Sequence, residues 1–352
     1  MQNNTFLLYG ANGYTGYVTA RMAKDYGLTP ILAGRNETEI VKIAQALQLD
    51  YLVFDLKDTE KLHAALNKVS VVLNDAGPFK YTAQPMIEAC LTTQTHYLDI
   101  TGEIEIFQLA HHYDTQAKQA NIMLMPGTGF DVVPTDCIAK LLHEQLPDAT
   151  HLELAFDTRG DALSKGTTYT AIESLGAGGL VRENGKLVPK PLGHKGKTID
   201  FGVKQSFVIT IPWGDVYTAY HSTGIPNIEV YTGMKKSFYY MLKFQFLYNW
   251  LLKLSFVKNY LKKQVDKMPD GPTEKQLEQG KSFVWGKVSN NKGESAKALL
   301  HLPSTKKLTA IASLAIVKQV LAGNFKAGYQ TPSQVYGGAF IFTLAGVESI
   351  KI

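Results

Sequence analysis

Two cysteines, Cys90 and Cys137, are all that the 352 residues hold, each inside an apolar, helix-like stretch. A disulfide framework is thereby excluded, and the chain reads as cytoplasmic and reduced. Arginine is almost as scarce, with only Arg159 and Arg182 beyond the N-terminal part. Substrates with several carboxylates are gripped by clustered guanidinium groups, so this supply is thin. Residues 1–4 are polar and lead straight into a β-prone run, which predicts no signal peptide. No His/Cys spacing resembles a metal site, and His111-His112 falls on a polar helix away from other ligand types. Ser164 lacks a nucleophile elbow, and no catalytic triad or carboxylate pair stands out, which disfavours hydrolysis. A formal charge of +5, with lysines widely spread, suits anionic ligands or an anionic membrane surface. It is too weak to argue for nucleic acid. With 45% apolar and 19% charged residues, general disorder is excluded, and the length suffices for two domains.

What is present begins with glycine. A β-prone run, residues 5–9, is followed at once by Gly10-Ala11-Asn12-Gly13-Tyr14-Thr15-Gly16 and then by a helix-compatible stretch, 17–26. Strand, tight glycine turn and helix start make a pyrophosphate cradle. Gly10 permits the turn, Gly13 lets backbone approach the phosphates, and Gly16 lets helix and strand pack closely. The positive end of the helix then faces the anion. Further strands are expected at 30–33, 51–54, 69–73, 96–100 and 122–125, alternating with helical periodicity at 37–47, 62–66 and 85–91. That alternation predicts an α/β fold whose N-terminal domain is a doubly wound parallel sheet of Rossmann type.

The second strand ends in Gly34-Arg35-Asn36, where an NAD-preferring domain usually carries an acid. A guanidinium there can stack on adenine and grip a 2′-phosphate, so NADP (NADPH) is the expected cofactor. Asp55, ending the third strand, either reaches the adenine or caps the next turn.

Several segments together resemble the saccharopine dehydrogenase-like oxidoreductases, a group that includes trans-acting enoyl reductases. They are the glycine loop, the Asn74-Asp75-Ala76-Gly77-Pro78-Phe79 loop, the 96–103 segment HYLDITGE and the 129–136 segment GFDVVPTD. Lys165-Gly166-Thr167, Trp213-Gly214-Asp215, the 222–227 segment STGIPN, Leu308-Thr309-Ala310 and Thr331-Pro332-Ser333 extend the likeness over nearly the whole chain. The resemblance implies an NADP-binding Rossmann domain followed by an α+β substrate domain. The sequence departs from the family pattern at Asp75 and at Lys306-Lys307.

Read physically, these segments lie at the carboxyl ends of strands, where open α/β sheets bind ligands. Ala76, Gly77, Pro78 and Phe79 would border the nicotinamide ribose. Tyr97 and Asp99 share one strand face, with Asp99 toward the cofactor. Thr101 and Glu103 either cap a helix or line the site. Asp131 is expected to face the cleft and Asp136 to be structural. Proton donors would come from Tyr97, Lys165, Tyr217 or His221, oriented by Asp131.

Residues 1–147 form the expected cofactor domain, with 325–352 packing back on it. Residues 148–324 form a substrate and homodimerisation domain on a mixed or antiparallel sheet. It includes a hairpin, 283–288 with 297–302, and a long apolar helix, 308–321. Within it, 237–263 interleaves nine aromatics with lysines, and no acid occurs between Met234 and Val265. On a single helix its apolar residues would cover nearly the whole circumference, and lysines interrupt it too often for a bilayer span. Three readings stay open: peripheral membrane contact, a buried or dimer-interface helix, and nucleic-acid contact. The expected reaction is hydride transfer with a hydrophobic acyl, enoyl or carbonyl substrate. A saccharopine-like amino-acid dehydrogenase and a non-catalytic NADP-binding scaffold are the alternatives.

Overall fold

The computed structural model describes residues 4–351. Six strands open the chain: β1 (Thr5–Tyr9), β2 (Thr29–Gly34), β3 (Tyr51–Val53), β4 (Val71–Asn74), β5 (His96–Asp99) and β6 (Met123–Met125). Eight follow: β7 (His151–Arg159), β8 (Gly179–Glu183), β9 (Lys186–Lys190), β10 (Gly196–Asp200), β11 (Gln205–Ile211), β12 (Asn227–Gly233), β13 (Lys281–Ser289) and β14 (Ser295–Pro303). Two short ones close the series, β15 (Gly328–Tyr329) and β16 (Glu348–Lys351). The chain divides into two compact units. The first runs to Val133 and takes in Lys306–Val335; the second holds Pro134–Thr305 and the chain from Tyr336 onward.

In the first unit the strand order is β15-β6-β5-β4-β1-β2-β3. Every neighbouring pair is parallel. β4 and β5 are buried at every position, as is β1 from Phe6 onward. Such continuous burial, rather than alternation, is what a sheet covered on both faces shows. The order reverses between β1 and β4, so the crevice of this doubly wound sheet opens beside the glycine loop.

The second unit is built on a nine-stranded mixed sheet with the main path β10-β11-β12-β7-β13-β14-β16. Its pairs are antiparallel except β12 with β7. The predicted hairpin is present as β13 and β14. Asn290 shapes its turn by accepting from the amides of Lys292 and Glu294. Phe201, Val208, Tyr231, Phe283 and Leu299 pack into one core cluster, with Trp285 against it.

Several expectations are corrected. The helix expected at 17–26 is Tyr14–Met22 followed by a 3₁₀ turn, Ala23–Tyr26, stopped by left-handed Gly27. The glycine- and threonine-rich stretch 165–180, expected as a helix or loop-helix, holds a helix that ends at Glu173, after which left-handed Gly176 and Gly178 feed the chain into β8. The apolar helix Thr305–Leu321 and β15 belong to the first unit rather than dividing at 324. The tail does the reverse: β16 pairs with β14 of the second sheet, not with the first unit. Thr331-Pro332-Ser333 is expected to cap a final helix through Leu344, but the helix is Pro332–Tyr336 alone, because Gly337 at φ 77° breaks it before a 3₁₀ segment, Gly338–Thr343. The 237–263 stretch folds as three short helices, Lys236–Leu242, Asn249–Leu252 and Ser255–Val265, rather than one.

Phe201→Ala, which empties a fully buried site, is expected to cost about 3–5 kcal/mol. Urea unfolding followed through Trp285 fluorescence measures this, and an unchanged midpoint would contradict the packing described.

Candidate functional site

In the first unit, Tyr9 ends β1 and the chain turns sharply. Gly10 has φ 89°, and a Cβ on it would lie 2.7 Å from the Ala76 nitrogen. Its amide donates to Ala33 O at 2.8 Å, and Ala11 N donates to the same oxygen. A Cβ on Gly16 would meet Gly10 O at 2.4 Å, so only glycine lets the first helix approach the strand this closely. Gly13 is the N-cap of that helix, with φ −74°, no capping side chain and no acid in the first turn. The turn and the helix's positive end therefore fit a pyrophosphate, as in other dinucleotide folds. Tyr14 and Thr15 form the first helical residues, and Asn12 donates to Glu39 Oε2 at 2.7 Å.

The carboxyl ends of β2 and β3 flank that turn. Arg35 is exposed, and Asn36 caps the helix Glu37–Leu47 by accepting from Glu39 N. Asp55 accepts from Lys57 N at 2.9 Å, so its side chain caps the turn after β3. Its carboxylate and the Arg35 guanidinium also act in opposite directions on Tyr9. Burial, then Asp55, pushes that phenol up to about 12 while Arg35 pulls it down. The sequence thus brings Tyr9, Arg35 and Asp55 together where an adenosine end would lie.

On the other side, four carboxyl groups gather beyond β4, β5 and β6. Asp99 is fully buried. Its oxygens accept from Tyr97 OH at 2.6 Å, Thr101 N at 2.9 Å and Gly127 N at 3.0 Å. Burial pushes its carboxyl up to about 6 against those three bonds. Thr101 in turn accepts from Glu103 N, and Glu103 Oε1 accepts from Phe79 N at 3.2 Å. The Glu103 carboxyl is pushed up to about 7, chiefly by burial. Ala76 N donates to Asn74 Oδ1 and Ala76 O accepts from Thr82, which fixes the loop that continues through Gly77 and Pro78 to Phe79.

Asp75 follows β4 directly and is also buried. Thr19 donates to Oδ2, while Oδ1 has no hydrogen-bond partner among the described residues. Burial pushes this carboxyl up to about 7; Asp99 adds to the rise, and Thr19 and Lys306 oppose it. Asp131 is partly exposed and lies against Gly102, whose hypothetical Cβ would be 3.0 Å from Oδ2. Burial raises it to about 6, opposed by Lys306. Groups whose charge state is held away from its usual value cluster where chemistry is done.

Two predicted roles shift inward. Tyr97 is fully buried and its proton is committed to Asp99, so this hydroxyl orients a carboxylate. Asp99 has its oxygens on internal donors and fixes the loops instead of reaching outward. Lys165 and His221 belong to the second unit. Lys165 begins the helix Lys165–Glu173, and its amine pairs with Asp270 at 2.8 Å. The His221 ring lies 4.6 Å from that of Tyr217, beside Tyr220. Arg182 is buried there, stacked on Tyr220, with Nε donating to Val216 O and Nη1 to Gly185 O. Sequence reasoning missed Lys306 as a partner of Asp75 and Asp131; its only trace was the departure noted at Lys306-Lys307. Among the described residues no group of three His, Cys, Asp or Glu is placed to hold a metal ion.

Asp75 yields a pH test. Folded, it holds its proton to about pH 7; unfolded, an aspartic acid releases it near 4. The folded state therefore binds the extra proton between those limits, and stability falls as pH rises through them. Asp75→Asn removes that fall: it should stabilise by on the order of 4 kcal/mol at pH 8 and hardly at all at pH 4. Thermal unfolding at both pH values decides this, and a difference independent of pH would refute a buried titrating carboxyl.

The family profile of the saccharopine dehydrogenase NADP binding domain matches residues 6–125. Over 202 residues the chain is 25% identical to the saccharopine dehydrogenase-like oxidoreductase of Rattus norvegicus, covering 50% of this chain and 47% of that protein. Over 155 residues it is 32% identical to the trans-acting enoyl reductase of Mycobacterium leprae, covering 41% and 37%. The chain spans about half the length of the curated relatives it matches. A lipid droplet localized protein of Caenorhabditis elegans is 25% identical over 194 residues, 50% of this chain and 46% of that one. The solved apo saccharopine dehydrogenase (L-Glu forming) of Saccharomyces cerevisiae aligns over 98% of this chain and 99% of its own, with a TM-score of 0.67. At 12% identity that likeness is one of fold. Residues 6–125 thus match a domain of the saccharopine dehydrogenase NADP-binding type, which supports NADP(H) as the cofactor.

Proposed function

We propose that the chain is an NADP-dependent oxidoreductase acting on a hydrophobic acyl, enoyl or carbonyl compound. The observation that carries the redox part is the glycine turn and helix start beside Arg35, within a domain of NADP-binding type. In this reading the 10–16 turn holds the pyrophosphate, Arg35 the 2′-phosphate, and Asp55 and Asn36 shape the adenosine side. Residues 76–79 border the nicotinamide ribose. The bound cofactor supplies a hydride. Asp131 carries the proton that must reach the substrate atom next to the hydride acceptor: with Glu103 it is one of the two partly exposed members of the carboxyl cluster, raised to about 6, and Glu103 already accepts from the Phe79 amide. Tyr97 and Asp99 position the loops around it. Lys165 holds Asp270 rather than a substrate.

The hydrophobic substrate class is supported by what the second unit's arginines do. Arg182 already serves two carbonyl oxygens and an aromatic ring, which leaves Arg159 alone for substrate carboxylates. An amino-acid imine with several carboxylates is poorly served by that supply. The relatives named as a trans-acting enoyl reductase and a lipid droplet localized protein point the same way. A homodimer is the proposed assembly.

Arg35→Ala is expected to weaken NADPH binding about tenfold or more, with NADH affected by less than about threefold. Fluorescence titration reads both, and equal affinity for the two cofactors in the unaltered protein would overturn the role of Arg35. NADPH oxidation should be selective for enoyl or carbonyl lipids. Selective turnover of an amino acid with a keto acid would replace the lipid reading. Binding of NADPH without turnover of any of these would instead leave a cofactor-binding scaffold.

A further inference from the structure

The most unusual surface of the molecule lies in the second unit, across the three short helices between Lys236 and Val265. Phe246 is 72% exposed, Phe256 67%, Trp250 64%, and Tyr240, Tyr260 and Phe244 are nearly as open. Met241, Leu247, Leu251 and Leu254 join them. Monomeric proteins rarely leave so many large apolar side chains in one short stretch to water without a partner for them.

The stretch is not a loose loop. Leu242, Gln245 and Val265 are its buried anchors. The Gln245 amide accepts from Leu192 N and donates to Leu192 O and Leu242 O. From the last helix, Lys258 donates to Glu173 O and Lys262 pairs with the Glu173 carboxylate. The platform is tied down from beneath, so its outward aromatics are held outward by the fold.

The charge pattern selects the partner. Residues 235–263 carry seven lysines and no acid. Lys235, Lys236, Lys253 and Lys263 are exposed among the aromatics. We propose that this platform docks on an anionic lipid surface, its aromatic and aliphatic side chains entering the headgroup region and its exposed lysines meeting the lipid charges. Trp and Tyr favour that depth, lysine stems reach along it, and amines are drawn to anionic headgroups. A second copy fits poorly. A two-fold contact presents the same patch from both sides and would press lysine-rich faces together with no carboxylate in the stretch to balance them. Nucleic acid would satisfy the lysines and stack on the rings, but offers nothing to Met241, Leu247, Leu251 and Leu254. The proposal rests on this surface alone and stands apart from the redox reading.

The test is co-flotation of the full chain with vesicles of phosphatidylcholine alone and of phosphatidylcholine with about 30% phosphatidylglycerol. The expected result is binding to the anionic vesicles at least tenfold stronger than to the neutral ones, weakening as salt rises. Trp250 emission should shift to the blue on addition of anionic vesicles, and the shift should vanish in Trp250→Phe. Phe246→Ser with Phe256→Ser should abolish flotation. Lys253→Glu with Lys263→Glu, which alters only exposed side chains and so tests the idea even if the aromatic variant misfolds, should weaken it at least fivefold. The proposal is overturned by absent flotation on both vesicle types, or by equal binding to both. It is also overturned if the aromatic variant turns a sedimenting dimer into a monomer while vesicle binding is unchanged. Displacement from vesicles by a tighter-binding single-stranded oligonucleotide would overturn it in favour of nucleic acid.

Discussion

The Asp99 carboxyl is the point on which the cofactor side of the first unit depends. It is fully buried, so its charge is removed from water at a cost that only well-placed donors offset. Those donors are Tyr97 from its own strand, Thr101 from the loop after β5 and Gly127 from the loop after β6. Its backbone oxygen also accepts from Thr128 N and Oγ1. One residue therefore fixes two neighbouring loops at the carboxyl edge of the sheet. The connection continues from Thr101 to Glu103 and from Glu103 to the amide of Phe79, reaching the loop after β4. Removing the Asp99 carboxyl would take the acceptor from two buried N–H groups, of Thr101 and Gly127, and from the Tyr97 hydroxyl, which is worse than losing one bond.

Against that network, the limits of the sequence are instructive. The parallel sheet was readable because short β-prone runs, such as Phe6 to Tyr9 and Val71 to Leu73, alternate with helical periodicity, and the helix Glu37–Leu47 because Ile40 and Ala44 repeat at helical spacing. What misled was local. Gly27, Gly176, Gly178 and Gly337 adopt positive φ and end helices that composition alone would extend. The placement of β16 had no local signal, since its partner β14 lies some fifty residues earlier and register forms only in the fold. The return of Lys306–Val335 to the first unit is likewise a product of tertiary contacts, and the strand it adds, β15, has only two residues.

The candidate site divides in the same way. The glycine turn was legible because a strand, a turn and a helix start occupy consecutive residues. The identity of Asp55 as a turn cap could be weighed but not decided, since it depends on which amide lies nearest, and the helix cap at Asn36 was not foreseen. Tyr97 and Asp99 were placed on one face correctly, yet that geometry hid them: two residues sharing a face can satisfy each other rather than a ligand. The influence of Lys306 on Asp75 and Asp131 spans more than 170 positions and left no spacing to read.

The carboxyl cluster also constrains any ligand that sits beside it. Asp75, Asp99, Glu103 and Asp131 all hold their protons more tightly than an exposed acid, and burial is the first cause for each. Were all four ionised at neutral pH, their field would oppose an anionic cofactor at the adjacent turn. Keeping part of the cluster protonated lowers that opposition, and the Lys306 charge, which acts on Asp75 and Asp131, counters the remainder. The same burial that makes these groups suitable to hold and release a proton thus makes the crevice tolerable to phosphate. A surface-exposed set of acids at these positions would be ionised at neutral pH, so it is burial at the carboxyl edge of the parallel sheet that lets this cluster keep protons.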